Sequence, residues 1–115
     1  MTPIDTVKNI AKILDDKKAE NITAFEIREL SIIADYFVIA TGTSSTHAKA
    51  LVDEVEEKMS LLGVEPMRIE GKASGWTVLD YSIVLVHIFR REMREYYNLE
   101  RLWADAQSVD LGIEG

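Results

Sequence analysis

The chain has 115 residues and a mass of 13.0 kDa, so we expect one domain and no second catalytic domain. It carries 13 Lys and Arg against 20 Asp and Glu, and this net charge of −7 argues against electrostatic capture of bare nucleic acid and favours a basic protein partner. Cysteine is absent, which excludes disulfides and Cys-ligated zinc. The sequence shows neither a secretory signal pattern nor an apolar run near the about 20 residues of a membrane span, so we expect a soluble cytoplasmic protein.

The first half of the chain predicts two helices and two strands. Apolar residues at helical spacing follow Thr2, which is a suitable N-cap. Residues 23–28 alternate between apolar and polar types and predict a half-buried strand. The nearly continuous apolar run at residues 34–41 predicts the most buried strand. Residues 42–46 then break this strand and cap a long helix, which we expect to end at Gly63.

The second half predicts three short strands and a last helix. The strands fall at residues 67–70, 76–80 and 83–89, and the last two are expected to form a hairpin. The pattern becomes helical again from Arg91. The order α-β-β-α-β-β-β-α therefore predicts an α/β sandwich with a mixed five-stranded sheet.

The domain organisation is expected to be simple. Residues 1–107 form one domain in this prediction, and residues 108–115 form a loosely ordered C-terminal tail. In the strands at 23–28 and 67–70, polar side chains alternate with apolar ones, which gives each strand one solvent-facing side. Three helices are too few to cover both faces of such a sheet, so part of it is expected to face solvent or a partner.

The turn at residues 41–45 is the first candidate for chemistry. Free backbone N–H groups at the start of a helix favour an anion, but the turn lacks the glycine and lysine spacing of dinucleotide and Walker sites. No Asp-x-Asp pair lies on a predicted strand, and the acidic run at residues 53–57 is in helical register. A plain turn with a helix cap is the favoured interpretation, and nucleotidyl transfer is disfavoured.

Histidine and tryptophan residues offer further candidates. His47 is expected at the surface near a helix cap, and without cysteine a zinc site at either histidine is disfavoured. His87 is either a hydrogen-bonded, semi-buried residue or a polar position on a partner-binding face. Trp103 lies at helical spacing with leucines and is expected in the core, whereas Trp76 beside a Gly-Ser loop is expected at an interface.

Five motifs, taken in order, resemble the ribosomal silencing factor family, which is also called Iojap. They are ADYFVIATGTSS at residues 34–45, IEG at 69–71, WTVLDY at 76–81, VLVHIF at 84–89 and REYYNLERLW at 94–103. Together they extend over nearly the whole chain.

This resemblance implies a translation repressor that is not an enzyme and needs no cofactor or metal. It implies binding to the large ribosomal subunit through ribosomal protein fourteen, which blocks joining with the small subunit. It also implies a nucleotidyltransferase-like fold without the catalytic carboxylates, in agreement with the missing Asp-x-Asp pair. A large-subunit assembly factor that uses the same surface is the alternative, and self-association into a homodimer is compatible with the resemblance. No membrane and no sequence-specific nucleic acid is expected as a partner.

The resemblance also implies which residues of this sequence face the ribosomal partner. Trp76 is the expected aromatic anchor, and acidic side chains nearby would accept from Lys or Arg of a basic protein. The predicted surface consists of Glu70, Trp76, Asp80, Tyr81, His87, Arg94 and Tyr97.

Overall fold

Six strands form one mixed sheet in the computed structural model, which describes residues 1–71 and 75–112. In chain order the elements are α1 (Pro3–Asp16), β1 (Glu20–Glu26), β2 (Tyr36–Gly42), α2 (Ser45–Leu61), β3 (Arg68–Glu70), β4 (Trp76–Asp80), β5 (Val84–Arg90), α3 (Arg91–Tyr97), α4 (Leu99–Leu102) and β6 (Gln107–Ser108). The strand order is β3-β4-β5-β2-β1-β6, with β2 and β5 parallel and every other pair antiparallel. The α/β fold with a mixed sheet is confirmed, but the predicted five strands are one too few.

Both long helices begin where the sequence provides a cap. Thr2 and Asp5 form a reciprocal capping box at the start of α1, in which each side chain accepts a hydrogen bond from the other residue's backbone N–H at 3.1–3.2 Å. At the start of α2 the Ser44 hydroxyl accepts from the backbone N–H of His47 at 3.0 Å. The α2 helix ends just before Gly63, whose φ of +80° lies in the left-handed region that glycine tolerates. None of the helices in the described part of the chain is long and apolar enough to cross a membrane.

The β2 strand is the centre of the fold. All seven of its residues are buried, and it pairs with β1 on one side and with β5 on the other. A continuous apolar run suits this position because both faces of the strand are covered. The predicted central strand and the predicted β4–β5 hairpin are therefore confirmed.

The C-terminal part differs from the prediction in two respects. The single predicted helix is divided at Asn98, whose φ of 45° and ψ of 54° end α3 and begin α4. The short strand β6 was not predicted, and it pairs with Phe25 and Glu26 of β1. The chain continues along β1 as the backbone N–H of Val109 donates to the carbonyl oxygen of Ala24 at 2.9 Å. Residues 113–115, also assigned to the expected tail, lie outside the described residues.

Two apolar clusters lie on opposite faces of the sheet. The α1 and α2 helices pack on one face, and their cluster includes Ala24 of β1 and Leu79 of β4. On the other face, α3, α4 and the loop before β2 pack around Phe37 and Phe89. On the predicted solvent-facing side of β1, Glu26 and Arg28 are partly or fully exposed, but Ala24 lies under the helices with 2% of its surface exposed. On this second face the covering elements reach β4 only at Trp76, whose ring contacts Tyr97 of α3, and leave the rest of β4 and β3 partly exposed.

Candidate partner-binding surface

The face of β3, β4 and the start of β5 that lies opposite α1 and α2 is only partly covered. Alternation along each strand and the pairing of Arg68 with Asp80, of Glu70 with Val78 and of Asp80 with Leu85 place one set of side chains on this side. All of them are half-buried or exposed. We call this surface the open face, and its side chains are Arg68, Glu70, Trp76, Val78, Asp80 and Leu85.

Trp76 is the largest side chain of the open face and is held by aromatic neighbours. Its ring is stacked on Phe89 at 5.1 Å between centroids with 22° between planes, and it lies 4.6 Å from the ring of Tyr97. Its indole Nε1–H donates a hydrogen bond to Nδ1 of His87 at 3.1 Å. The indole is only half-buried, so this packing fixes the ring while leaving part of it available to a partner.

Two tyrosines extend the open face at its α3 side. Tyr97 has 42% of its surface exposed, and Tyr96 beside it has 77% exposed and meets Tyr97 edge to face at 5.2 Å. Such half-exposed aromatic groups are enriched at protein interfaces. Tyr97 was in the predicted surface and Tyr96 was not.

The other side of the open face carries charge. Arg68 of β3 lies 3.5 Å from the carboxylate of Asp80 and 3.6 Å from that of Glu70. Ion pairs at this degree of exposure contribute little to stability. Glu70 and Asp80 were both in the predicted surface, whereas Arg68 between them was not.

His87 stands on the same face of the sheet as Trp76, but its neighbours cover it and it is not exposed on the open face. Its side chain is buried, it accepts the indole hydrogen bond of Trp76, and its ring meets Phe37 edge to face at 4.5 Å. Burial lowers the pKa of His87 from 6.5 to about 4, so the ring is neutral near pH 7 and carries its proton on Nε2. Of the two sequence interpretations, the hydrogen-bonded buried histidine is the one that the structure shows.

The buried His87 makes stability depend on pH. The folded state disfavours the protonated ring. The stability that comes from keeping His87 neutral is therefore fully present above pH 6.5 and is lost as the pH falls towards about 4. We expect the free energy of unfolding of the wild type to fall by roughly 1 kcal/mol more than that of His87→Leu between pH 7 and pH 5.5. Chemical denaturation at both pH values measures this difference, and parallel profiles for the two proteins would contradict it.

Tyr81 is not brought to the open face. It follows Asp80 by one residue and belongs to the apolar cluster under α1 and α2. Burial raises the pKa of its phenol, and the nearby carboxylates of Glu56 and Glu65 raise it further. Its hydroxyl has no hydrogen-bond partner among residues 1–71 and 75–112. The structure thus gives Tyr81 a place in the core instead of the predicted contact with a partner.

Removing this hydroxyl is expected to be harmless. The Tyr81→Phe variant should keep or raise the free energy of unfolding by up to about 1 kcal/mol, because a buried polar group without a partner opposes folding. Urea denaturation of the two proteins tests this, with Tyr96→Phe as an exposed control. A loss of more than about 1 kcal/mol would show that the hydroxyl is bonded in solution.

Arg94 is also outside the open face. Only 8% of its surface is exposed, and its guanidinium donates to the backbone oxygen of Asn21, to Oγ1 of Thr41 at 2.9 Å and to the carboxylate of Glu100 at 3.2 Å. These bonds join α3 and α4 to β1 and β2. The predicted contact residue therefore has an internal role that the local sequence does not reveal.

The turn between β2 and α2 is a packed junction. Nδ1 of His47 accepts from the backbone N–H of Thr43 at 2.9 Å, and Nε2 lies 2.8 Å from the carbonyl oxygen of Lys17 at the end of α1. A Cβ atom at Gly42 would lie 2.7 Å from the backbone of Ala48, so only glycine fits there. The donors of Thr43 and His47 are thus already used, which favours the plain turn and cap. Across the described ranges no group of three or more His, Asp or Glu side chains is arranged to hold a metal ion.

Comparison with known proteins identifies the family. The model of the family described as "Ribosomal silencing factor during starvation" matches residues 1–114, so the chain belongs to the ribosomal silencing factor family, as its motifs predicted. It is 40% identical over 99 residues to "Ribosomal silencing factor RsfS" of Halalkalibacterium halodurans, and the match covers 85% of each chain.

Two further relatives bear on fold and function. A crystal structure of a Chromobacterium violaceum protein matches with a TM-score of 0.88 at 29% identity and covers 99% of this chain and 95% of that one. The mouse "Mitochondrial assembly of ribosomal large subunit protein 1" is 32% identical over 98 residues, which cover 82% of this chain and 43% of the mouse protein.

Proposed function

We propose that this silencing factor binds the large ribosomal subunit through ribosomal protein fourteen and thereby prevents joining with the small subunit. The observation that carries the proposal is the open face, a partly uncovered sheet surface on which Trp76 is the largest side chain, in a chain that belongs to the ribosomal silencing factor family. The contact with ribosomal protein fourteen is part of this proposal.

The composition of the open face suits a protein partner. Its apolar side chains are Trp76 and Val78 on β4 and Leu85 on β5, which pairs with Asp80, and the carboxylates of Glu70 and Asp80 lie beside them. An apolar centre with a polar rim is the usual arrangement of protein interfaces. The net charge of −7 favours encounter with a basic protein and disfavours direct capture of ribosomal RNA.

The proposed mechanism is steric and involves no chemical step. The molecule measures 34 × 33 × 28 Å, so a copy bound on the joining face of the large subunit holds the small subunit away from its contacts. A modest interface is sufficient for this purpose, because excluding a partner requires only that both cannot occupy the same space. Regulation of translation then follows from occupancy of the large subunit.

A role in assembly of the large subunit is the second candidate. It is favoured by the similarity to the mouse protein, whose name states a function in assembly of the mitochondrial large subunit. The same open face would serve both roles, since each requires binding to the large subunit. The two differ in whether the bound factor prevents joining of mature subunits.

Sedimentation distinguishes these functions. Purified protein is mixed with separated large and small bacterial subunits, and joined ribosomes are then quantified on a sucrose gradient. Binding to the large subunit with loss of joined ribosomes is the expected result. Binding without that loss would favour assembly, and absence of binding to either subunit would overturn both functions. Crosslinking of the bound protein identifies the ribosomal protein that it contacts.

A further inference from the structure

The register of the β4–β5 hairpin places Trp76 and His87 as diagonal neighbours. Trp76 pairs with Phe89, and Val78 pairs with His87, so the two side chains stand on the same face of adjacent strands. The Nε1–Nδ1 distance of 3.1 Å is that of a normal hydrogen bond. Nε1 is the only polar atom of an indole. This bond therefore fixes which edge of the ring faces His87, which apolar packing alone does not do.

Stacking alone does not determine which way the indole points. A ring that lies against Phe89 and Tyr97 keeps similar apolar contact after half a turn about its Cβ–Cγ bond. The hydrogen bond to His87 is lost in the turned orientation, because Nε1 then points away from the imidazole. The bond therefore determines which edge of the indole faces His87 and which edge is exposed on the open face.

Stability does not account for a histidine at this position. His87 lies in an apolar environment that disfavours its charged form, and its Nε2 has no hydrogen-bond partner in the part of the chain that the structure describes. An aliphatic residue of similar size would fill the space without a buried unpaired N–H group. The polar atom that is used, Nδ1, is directed at Trp76.

We infer that His87 is a positioning residue, which holds the Trp76 indole in the orientation that the ribosomal partner recognises. The inference rests on the proposed function, because it assigns His87 an effect on binding that is exerted through Trp76. A ring that is already oriented loses less conformational freedom on binding, and this difference increases affinity.

Three variants separate positioning from packing. His87→Leu removes the acceptor and keeps an apolar side chain, His87→Asn returns an acceptor oxygen near the position of Nδ1, and Trp76→Phe removes the indole N–H but keeps a stacked ring. Affinity for purified bacterial large subunits is measured for each, and thermal unfolding reports whether each variant is folded. The Trp76 indole resonance in nitrogen–proton NMR, assigned with Trp76→Phe, reports the hydrogen bond in the free protein.

We expect His87→Leu to weaken binding about 3- to 10-fold, as loss of one hydrogen bond predicts, without lowering the unfolding temperature. His87→Asn should restore both affinity and the indole resonance. In a Trp76→Phe background, His87→Leu should have no further effect on binding, because the group it orients is already gone.

Other outcomes overturn the inference. Wild-type affinity of a folded His87→Leu variant, or losses that add in the double variant, would remove the positioning role while leaving the proposed function intact. A wild-type protein that binds neither subunit would overturn the proposed function itself and the inference with it. An indole resonance unchanged by His87→Leu would show that the hydrogen bond is not formed in solution.

Discussion

Replacing Trp76 by alanine is expected to weaken binding to the large ribosomal subunit by about 2 kcal/mol or more, which is roughly a 30-fold rise in Kd. The indole lies at the α3 side of the open face and is held there by Phe89, Tyr97 and His87. A large aromatic side chain that is already fixed in place contributes contact area at a small entropic penalty. Truncation removes this contact area and also the ring on which Phe89 and Tyr97 pack.

Leu61→Ala is the matched control for Trp76→Ala. Leu61 lies near the end of α2, away from the open face, and 74% of its surface is exposed. Its truncation should leave both affinity and stability nearly unchanged. Equilibrium binding to large subunits and circular dichroism of each variant provide the data. A folded Trp76→Ala protein with wild-type affinity would place the partner on another surface.

Replacing Arg94 by methionine is expected to lower the free energy of unfolding by about 3 kcal/mol. The guanidinium satisfies the backbone oxygen of Asn21 and the hydroxyl of Thr41, and it pairs with the half-buried carboxylate of Glu100. Methionine keeps the apolar part of the side chain but leaves all three groups without this donor. Each group then bears a desolvation penalty that the native contacts offset.

Arg91→Met tests whether this effect is specific to the buried guanidinium. Arg91 also lies on α3 and pairs with Glu20 at 2.7 Å, but both side chains are exposed. Its replacement should cost less than about 1 kcal/mol. Urea denaturation of both variants gives the comparison, and equal losses would contradict an internal role for Arg94.

Local patterns were sufficient to predict most of the fold. The apolar run of β2, the cap at Ser44 and the hairpin between β4 and β5 each have a signal within a few residues. The β6 strand has none, because two residues of ordinary composition form a strand only through pairing with β1. The break at Asn98 arises where the backbone enters the left-handed region, which the helical spacing of the apolar residues on either side does not reveal.

The candidate surface was predictable in part. Alternation along β4 places Trp76 and Asp80 on one face and assigns Tyr81 to the opposite one, so its burial could have been inferred from strand register. The same alternation could have added Val78 to the surface. The burial of Arg94 could not be inferred, since its partners Asn21 and Thr41 lie far away in the sequence.

The parallel pairing of β2 with β5 has a consequence for synthesis of the protein. The most apolar strand of the sheet finds one of its two neighbours only after α2, β3 and β4 have been made, because β5 follows them in the chain. A nascent chain that ends before Val84 exposes one edge of β2, and such edges promote aggregation. We expect translation through Arg90 to be required before both edges of β2 are paired, so the centre of the sheet forms late in the synthesis of the protein.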